Sequence, residues 1–224
     1  MYDFIKDPSL YSFVRGPLVW IAFLVFIGGS IYQLRNMILL AKKEKVVYPY
    51  MSLKLTLRSL FHWLVPFASV NWRRHPVITI MTFILHIGIV LLPVFLLSHN
   101  ILWRESWGIT WWTIPEGLGD LMTILVIAAC IFFFLRRMFA SEVKFVTFSS
   151  DYLLLVITFL PFITGFLAYH QLLLPHETMV ILHMIFGSLM LIAVPFTRII
   201  HMFYFFLTRA YMGSDQGFRH SRDW

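Results

Sequence analysis

Long apolar runs alternate with short polar and basic stretches along this 224-residue chain. Five runs come near or exceed the ~20 residues a helix needs to cross a ~30 Å hydrocarbon core: 18–40, 77–97, 118–135, 152–169 and 178–207. The pattern predicts an all-α integral membrane bundle of five transmembrane helices, with residues 1–224 forming a single membrane domain. The first run begins at Leu18 and lacks a small-residue cleavage signal, so it reads as a retained span. Between the first two runs, Leu57, Leu60, Phe61, Leu64 and Val65 follow helical spacing, while Lys54, Arg58 and His62 recur every four residues on another face. This predicts a short amphipathic helix over about 52–67, lying at the interface as a membrane rest or as a docking ridge for a cytoplasmic subunit. No internal repeat or low-complexity segment is visible.

Basic residues add a direction. Lys42, Lys43, Lys45, Lys54, Arg58, Arg73 and Arg74 lie between the first and second runs, Arg136, Arg137 and Lys144 between the third and fourth, and Arg209, Arg219 and Arg222 in the tail. The opposite side carries only Lys6, Arg15 and Arg104. Positive charge stays on the cytoplasmic side, which predicts an outer N-terminus and a cytoplasmic C-terminus. The formal charge of +7 therefore reads as a topology signal, and nucleic acid is not an expected partner.

Composition narrows the chemistry. Hydrophobic residues make up 59% and charged residues 13%, well away from the balance of a soluble domain. The single Cys130 lies within an apolar run, which leaves no thiolate set for a disulfide framework or an iron–sulfur site. Metal chemistry must rest on the nine histidines. The aromatic share of 18% suits interfacial belts and equally suits walls around a flat cofactor. Trp103, Trp107, Trp111 and Trp112 concentrate in the outer segment 100–117, as a belt or as a lid over a bound ligand.

Four histidines fall in or beside two of the spans: His86 and His99 with the second, His183 and His201 with the fifth. The 18 residues from His183 to His201 make five whole helical turns, so both imidazoles leave one face about 27 Å apart. The two spans run in opposite directions. His86 then pairs with His201 near one membrane face and His99 with His183 near the other. Paired axial imidazoles around a flat macrocycle are the arrangement of bis-histidine haem b, which needs no attachment motif. Zinc would gather about four ligands at one depth, and a proton or ion path would be expected to place carboxylates within the spans.

His86 and His99 are 13 apart, about 220° around a regular helix, so they do not share a face. Pro93 can kink the helix between them, or His99 can lie in the following loop; His170 is the rival outer ligand. Arg198, three residues before His201, either pairs with a haem propionate or snorkels to the interface. Gly88 and Gly187 would let a flat ring approach. His62, His75, His176 and His220 read as solvated.

LHIGI at 85–89, together with the 18-residue spacing ending in PFTRIIH at 195–201, resembles the gamma subunit of respiratory nitrate reductase, a five-span dihaem cytochrome b. The basic loops and the SLFHWLVPF and RHP segments are similar still to the cytochrome b subunits of Hmc- and Tmc-type transmembrane redox complexes of sulfate-reducing bacteria, with the Dsr membrane subunit as a relative. The resemblance implies two haem b groups, the inner one on His86 and His201 and the outer one on His183 with a second-span histidine. In the nitrate reductase pattern that partner follows the first histidine by ten residues. Position 96 is leucine here, and His99 is the nearest candidate. The family's quinol-binding lysine has no match in the outer loop.

The resemblance also implies a cytoplasmic iron–sulfur subunit, a periplasmic multihaem cytochrome c, and a quinone site beside the outer haem, with menaquinone as the candidate quinone. The expected protein is a dihaem electron-transfer subunit of a respiratory complex in the bacterial inner membrane. Its alternatives are a quinone-linked oxidoreductase subunit and a structural anchor whose histidines only hydrogen-bond between helices.

Overall fold

A computed structural model describes residues 8–44 and 46–221, all helix and connecting segments, with no strand among them. Lys6, Lys45 and Arg222, which entered the charge argument, lie outside the described residues. The helices are α1 (Pro8–Phe13), α2 (Val19–Lys43), α3 (Leu53–Leu64), α4 (Val70–Arg74), α5 (Pro76–Phe95), α6 (Leu97–Trp107), α7 (Glu116–Phe139), α8 (Ser141–Lys144), α9 (Ser149–Tyr169), α10 (His176–Phe196) and α11 (His201–Phe218).

Among the described residues, five helical stretches are long and apolar enough to cross a membrane: Leu10–Lys43, Pro76–Phe95, Glu116–Phe139, Ser149–Tyr169 and His176–Phe196. The chain is a multi-pass membrane protein, and its spans contact lipid. The first stretch starts earlier than the apolar run predicts. A π-helical turn at Val14–Leu18, holding Pro17, joins α1 to α2 without ending the helix. Proline has no N–H to donate, and a widened turn absorbs the missing bond.

The chain forms two compact units, one of residues up to Arg15 with Ile80–Gly187, the other of Gly16–Thr79 with Ser188 onward. In the first, α5, α7 and α9 enclose Leu85, Leu92, Val126, Ala129, Cys130 and Phe162. Gly88 lies against the Val126 side chain, where a Cβ would collide. Its function is close helix packing, and not the ring approach expected of it. Polar ties join α7 to α9. The Tyr152 hydroxyl donates to the Arg137 carbonyl at 2.9 Å at one end, and His170 meets Asp120 at the other.

In the second unit, α3 packs on α11 through small residues. A Cβ on Gly213 would strike Ser59, and the Ser52 backbone N–H donates to Ser214 Oγ at 3.0 Å. Ser59 and Ser214 are fully buried. The amphipathic helix predicted over 52–67 is observed as Leu53–Leu64, and the tail expected after residue 207 is instead helical to Phe218.

The fifth span departs most from expectation. It was predicted as one helix over 178–207, but α10 ends at Phe196, Thr197 is extended (φ −130°, ψ 178°), and a 3₁₀ turn at Arg198–Ile200 leads into α11. Thr197 stabilises the break. Its hydroxyl donates to the Ala193 carbonyl at 2.7 Å and accepts from the Ile199 N–H at 3.3 Å. Pro195 sits where a Cβ on Gly29 of α2 would be, and its carbonyl accepts from Gln33 Nε2 at 2.9 Å. The five-turn count from His183 to His201 therefore does not hold, because the helix is interrupted between them.

Candidate functional site

The second span also breaks, and the break positions His99. Helix α5 ends at Phe95, Leu96 is extended (φ −68°, ψ 139°), and α6 starts at Leu97. Ending a helix exposes its last carbonyls, which must find donors. Trp111 Nε1–H donates to the Val94 carbonyl at 2.9 Å and the Ile114 N–H to the Phe95 carbonyl at 2.9 Å, while Asn100 Nδ2 holds the Trp111 carbonyl at 3.0 Å. The tryptophan-rich segment thus folds back over the end of α5. Its rings interlock, with Trp103 against Trp107 and Trp111, and Phe95 stacked on Trp112 at 4.4 Å. The part from Asn100 to Trp107, expected as loop, is helical.

Across this break, the helix-phase mismatch of His86 and His99 ceases to matter, because they belong to different helices. The His99 ring lies 5.9 Å, centre to centre, from that of His183 in α10, with the ring planes 14° apart. Gly165 of α9 makes room for the second ring. A Cβ there would lie 2.9 Å from His183 Cε1 and 3.0 Å from its Nδ1.

Each ring is oriented by a backbone carbonyl. His183 Nδ1 is 2.8 Å from the Pro161 carbonyl oxygen and His99 Nδ1 is 3.4 Å from that of Leu92. A carbonyl can only accept, so Nδ1 carries the hydrogen and Nε2 keeps its lone pair, the tautomer a metal-binding imidazole needs. Burial of His99 in this packing pushes its pKa below the ordinary imidazole value, outweighing the opposite effect of the Leu92 hydrogen bond.

Two metal–nitrogen bonds of about 2 Å, added to the distance from each nitrogen to its ring centre, place two imidazoles on one metal about 6 Å apart. The observed separation fits. Among the described residues no group of three or more His, Cys, Asp and Glu side chains is placed to hold a metal ion. His99 and His183 offer two nitrogen donors.

His170 is engaged differently. Its Nε2 lies 2.8 Å from Asp120 Oδ1, and a carboxylate accepts, so the nitrogen that keeps its lone pair at His99 and His183 carries the hydrogen here. The neighbouring Tyr169 hydroxyl reaches Glu116 at 3.3 Å. Of the two histidines considered as partner for His183, the structure brings His99 to it. His176, expected to be solvated, instead bonds the Ala168 carbonyl through Nδ1 at 3.0 Å.

His86 belongs to the first unit and His201 to the second. His86 Nδ1 bonds the Thr82 carbonyl at 2.7 Å, one turn back in α5, and His201 Nδ1 bonds the Arg198 carbonyl at 2.8 Å. Both have the tautomer seen at His99 and His183. Arg198 thus orients His201 through its backbone, in a 3₁₀ turn instead of on the face of a continuous helix. Gly187 has open space where a Cβ would point.

Sequence reasoning missed Gly165 and the Pro161 carbonyl. The PFITG stretch carries a weak signal, a proline followed four residues later by the smallest side chain. Only the packing shows that an imidazole fills that space.

No family model and no solved structure matches the chain. A protein described only as "Protein" from Nitratidesulfovibrio vulgaris (strain ATCC 29579 / Hildenborough) is 36% identical over 213 residues, which cover 92% of this chain and 93% of that one. At that identity and coverage, the chain belongs to one family with the N. vulgaris protein.

Proposed function

We propose that the chain is a dihaem b-type cytochrome subunit of a respiratory redox complex in the bacterial inner membrane. The observation that carries this reading is the His99–His183 pair, with its 5.9 Å ring separation and both Nδ1 atoms on carbonyls. These two residues would hold the outer haem, and the inner one is assigned to His86 and His201 by the family resemblance alone. Haem bound at these positions accepts and releases single electrons. The residues of the chain orient the imidazoles and pack aromatic rings around Trp103 and Trp111, and Arg198 would offer a guanidinium to a propionate.

With the N-terminus outside and the C-terminus in the cytoplasm, as the distribution of Lys and Arg supports, electrons pass between a periplasmic multihaem cytochrome c or the quinone pool and a cytoplasmic iron–sulfur subunit. One observation favours a quinone-linked form of this role. Trp103 lies one turn after His99 on α6 and packs against Trp107 and Trp111, an aromatic cluster suited to a flat ring such as menaquinone. A quinol analogue that shifts the outer haem spectrum supports it, and no shift at saturation counts against it.

Purified protein is expected to show a reduced b-type spectrum with about two haems per chain. A correctly folded, colourless preparation grown with ample haem would overturn the proposal.

A further inference from the structure

The helix α3 has three faces with three different surroundings. Ser52, Thr56, Ser59 and Trp63 fall on one side of the helical wheel, and this side meets α11. Thr56 Oγ1 donates to the Ala210 carbonyl at 3.3 Å, Arg209 Nη2 donates to Ser59 Oγ at 2.9 Å, and the Arg209 guanidinium lies 4.4 Å over the Trp63 ring. About 120° away run Leu53, Leu57, Phe61 and Leu64, which are 74%, 57%, 72% and 54% exposed. On the third side Lys54 and Arg58 are exposed, one turn apart.

A free helix could hide its apolar stripe by rolling over. This one cannot, because its small-residue face is locked onto α11. The stripe is therefore held outward by the fold. Its location points to the cover. Ser52 bonds Ser214 nine residues after α2 ends at Lys43, so α3 begins close along the chain to the end of a membrane span, where Lys42 and Lys43 collect. Trp63 and Trp72, in edge contact at 5.4 Å, are the residue type favoured at the lipid–water boundary.

We propose that α3 is an in-plane anchor that seats on anionic phospholipid, with Leu53, Leu57, Phe61 and Leu64 in the acyl layer and Lys54 and Arg58 on the headgroup phosphates. Charge complementarity selects the lipid. An apolar stripe edged by two cations at the end of a basic-flanked span matches an anionic headgroup above an acyl chain. The inference does not depend on haem.

The full chain in nanodiscs tests it. In a Cys130→Ala background, a spin label on Phe61→Cys should be relaxed by oxygen and shielded from a water-soluble nickel chelate. Ready access by the chelate would overturn the proposal, and so would shielding from both relaxants, since that would mean a protein partner or second copy covers the stripe. Lys54→Gln with Arg58→Gln should lower the enrichment of phosphatidylglycerol over phosphatidylcholine in the lipid retained by the purified chain by about fivefold per residue. Unchanged enrichment in a variant with wild-type helix content would overturn the headgroup assignment.

Discussion

Two helix breaks in this protein occur next to histidines, and they differ in what supports them. After α5 the break at Leu96 is covered by a folded aromatic segment, whose Trp111 indole and Ile114 amide bond the exposed carbonyls. After α10 the break at Thr197 is local: one hydroxyl serves both sides, and Pro195 packs on the bare backbone of Gly29. Both breaks follow a proline by two or three residues. Both start a new helix with a histidine in or near its first turn. The first depends on residues up to 18 positions further along the chain, and the second mainly on its own turn. The difference teaches that a proline in a span marks where a break can occur, whereas the groups available to bond the freed carbonyls decide where the following histidine goes.

The strongest way to break this comparison is to remove a ligand on each side. His183→Ala should lower haem content from about two per chain to about one, and His201→Ala should do the same for the other haem. Loss of both haems from either variant, with the fold intact, would show that the sites are not separable.

Gly165→Val comes next. Its side chain enters the space of the His183 ring, so overpacking of about 1–3 kcal/mol is expected, together with partial loss of the outer haem. The check is a haem titration beside thermal melting; full occupancy would mean that His183 moves freely.

Smaller effects separate the two breaks. Trp111→Phe keeps the ring and removes the bond to the Val94 carbonyl, at a cost of about 1 kcal/mol and with a broadened outer haem signal. Thr197→Val removes a hydroxyl of similar worth beside His201, so it should affect only the inner signal. Electron paramagnetic resonance of the two oxidised haems distinguishes these outcomes, and an inner-signal response to Trp111→Phe would contradict the assignment.

The smallest effect is expected at His170→Ala. Its Nε2 is engaged by Asp120, so haem content should stay unchanged while the α7–α9 tie weakens by up to about 1 kcal/mol. A lost haem would restore His170 as the outer ligand.

Much of the fold was legible because lipid imposes a simple rule: a spanning helix must satisfy its own backbone and present apolar side chains over about 20 residues. The five spans follow from that rule; most of their ends shift by a few residues, but the first starts at Leu10 instead of Leu18 and the fifth ends at Phe196 instead of residue 207. The amphipathic α3 was legible from its spacing. The residues of the outer pair were legible as types, since histidines are rare in spans and costly unless partnered. The pairing of His99 with His183 was legible from the opposed directions of the two spans, but the way His99 reaches that position was not. The angular argument assumes regular helices, and Leu96 and Thr197 are both extended.

By itself the sequence determined the number of spans, the side on which positive charge collects, and the presence of imidazoles where a membrane protein rarely keeps them. These are properties of local composition and periodicity, set by the solvent around each segment. The tertiary structure alone decided how His99 reaches His183, that His170 is engaged by Asp120, that Gly165 is the glycine making room for a ring, and that the outward face of α3 is locked by α11. Each of those outcomes depends on contacts between residues far apart in the chain, and no local pattern carries that information.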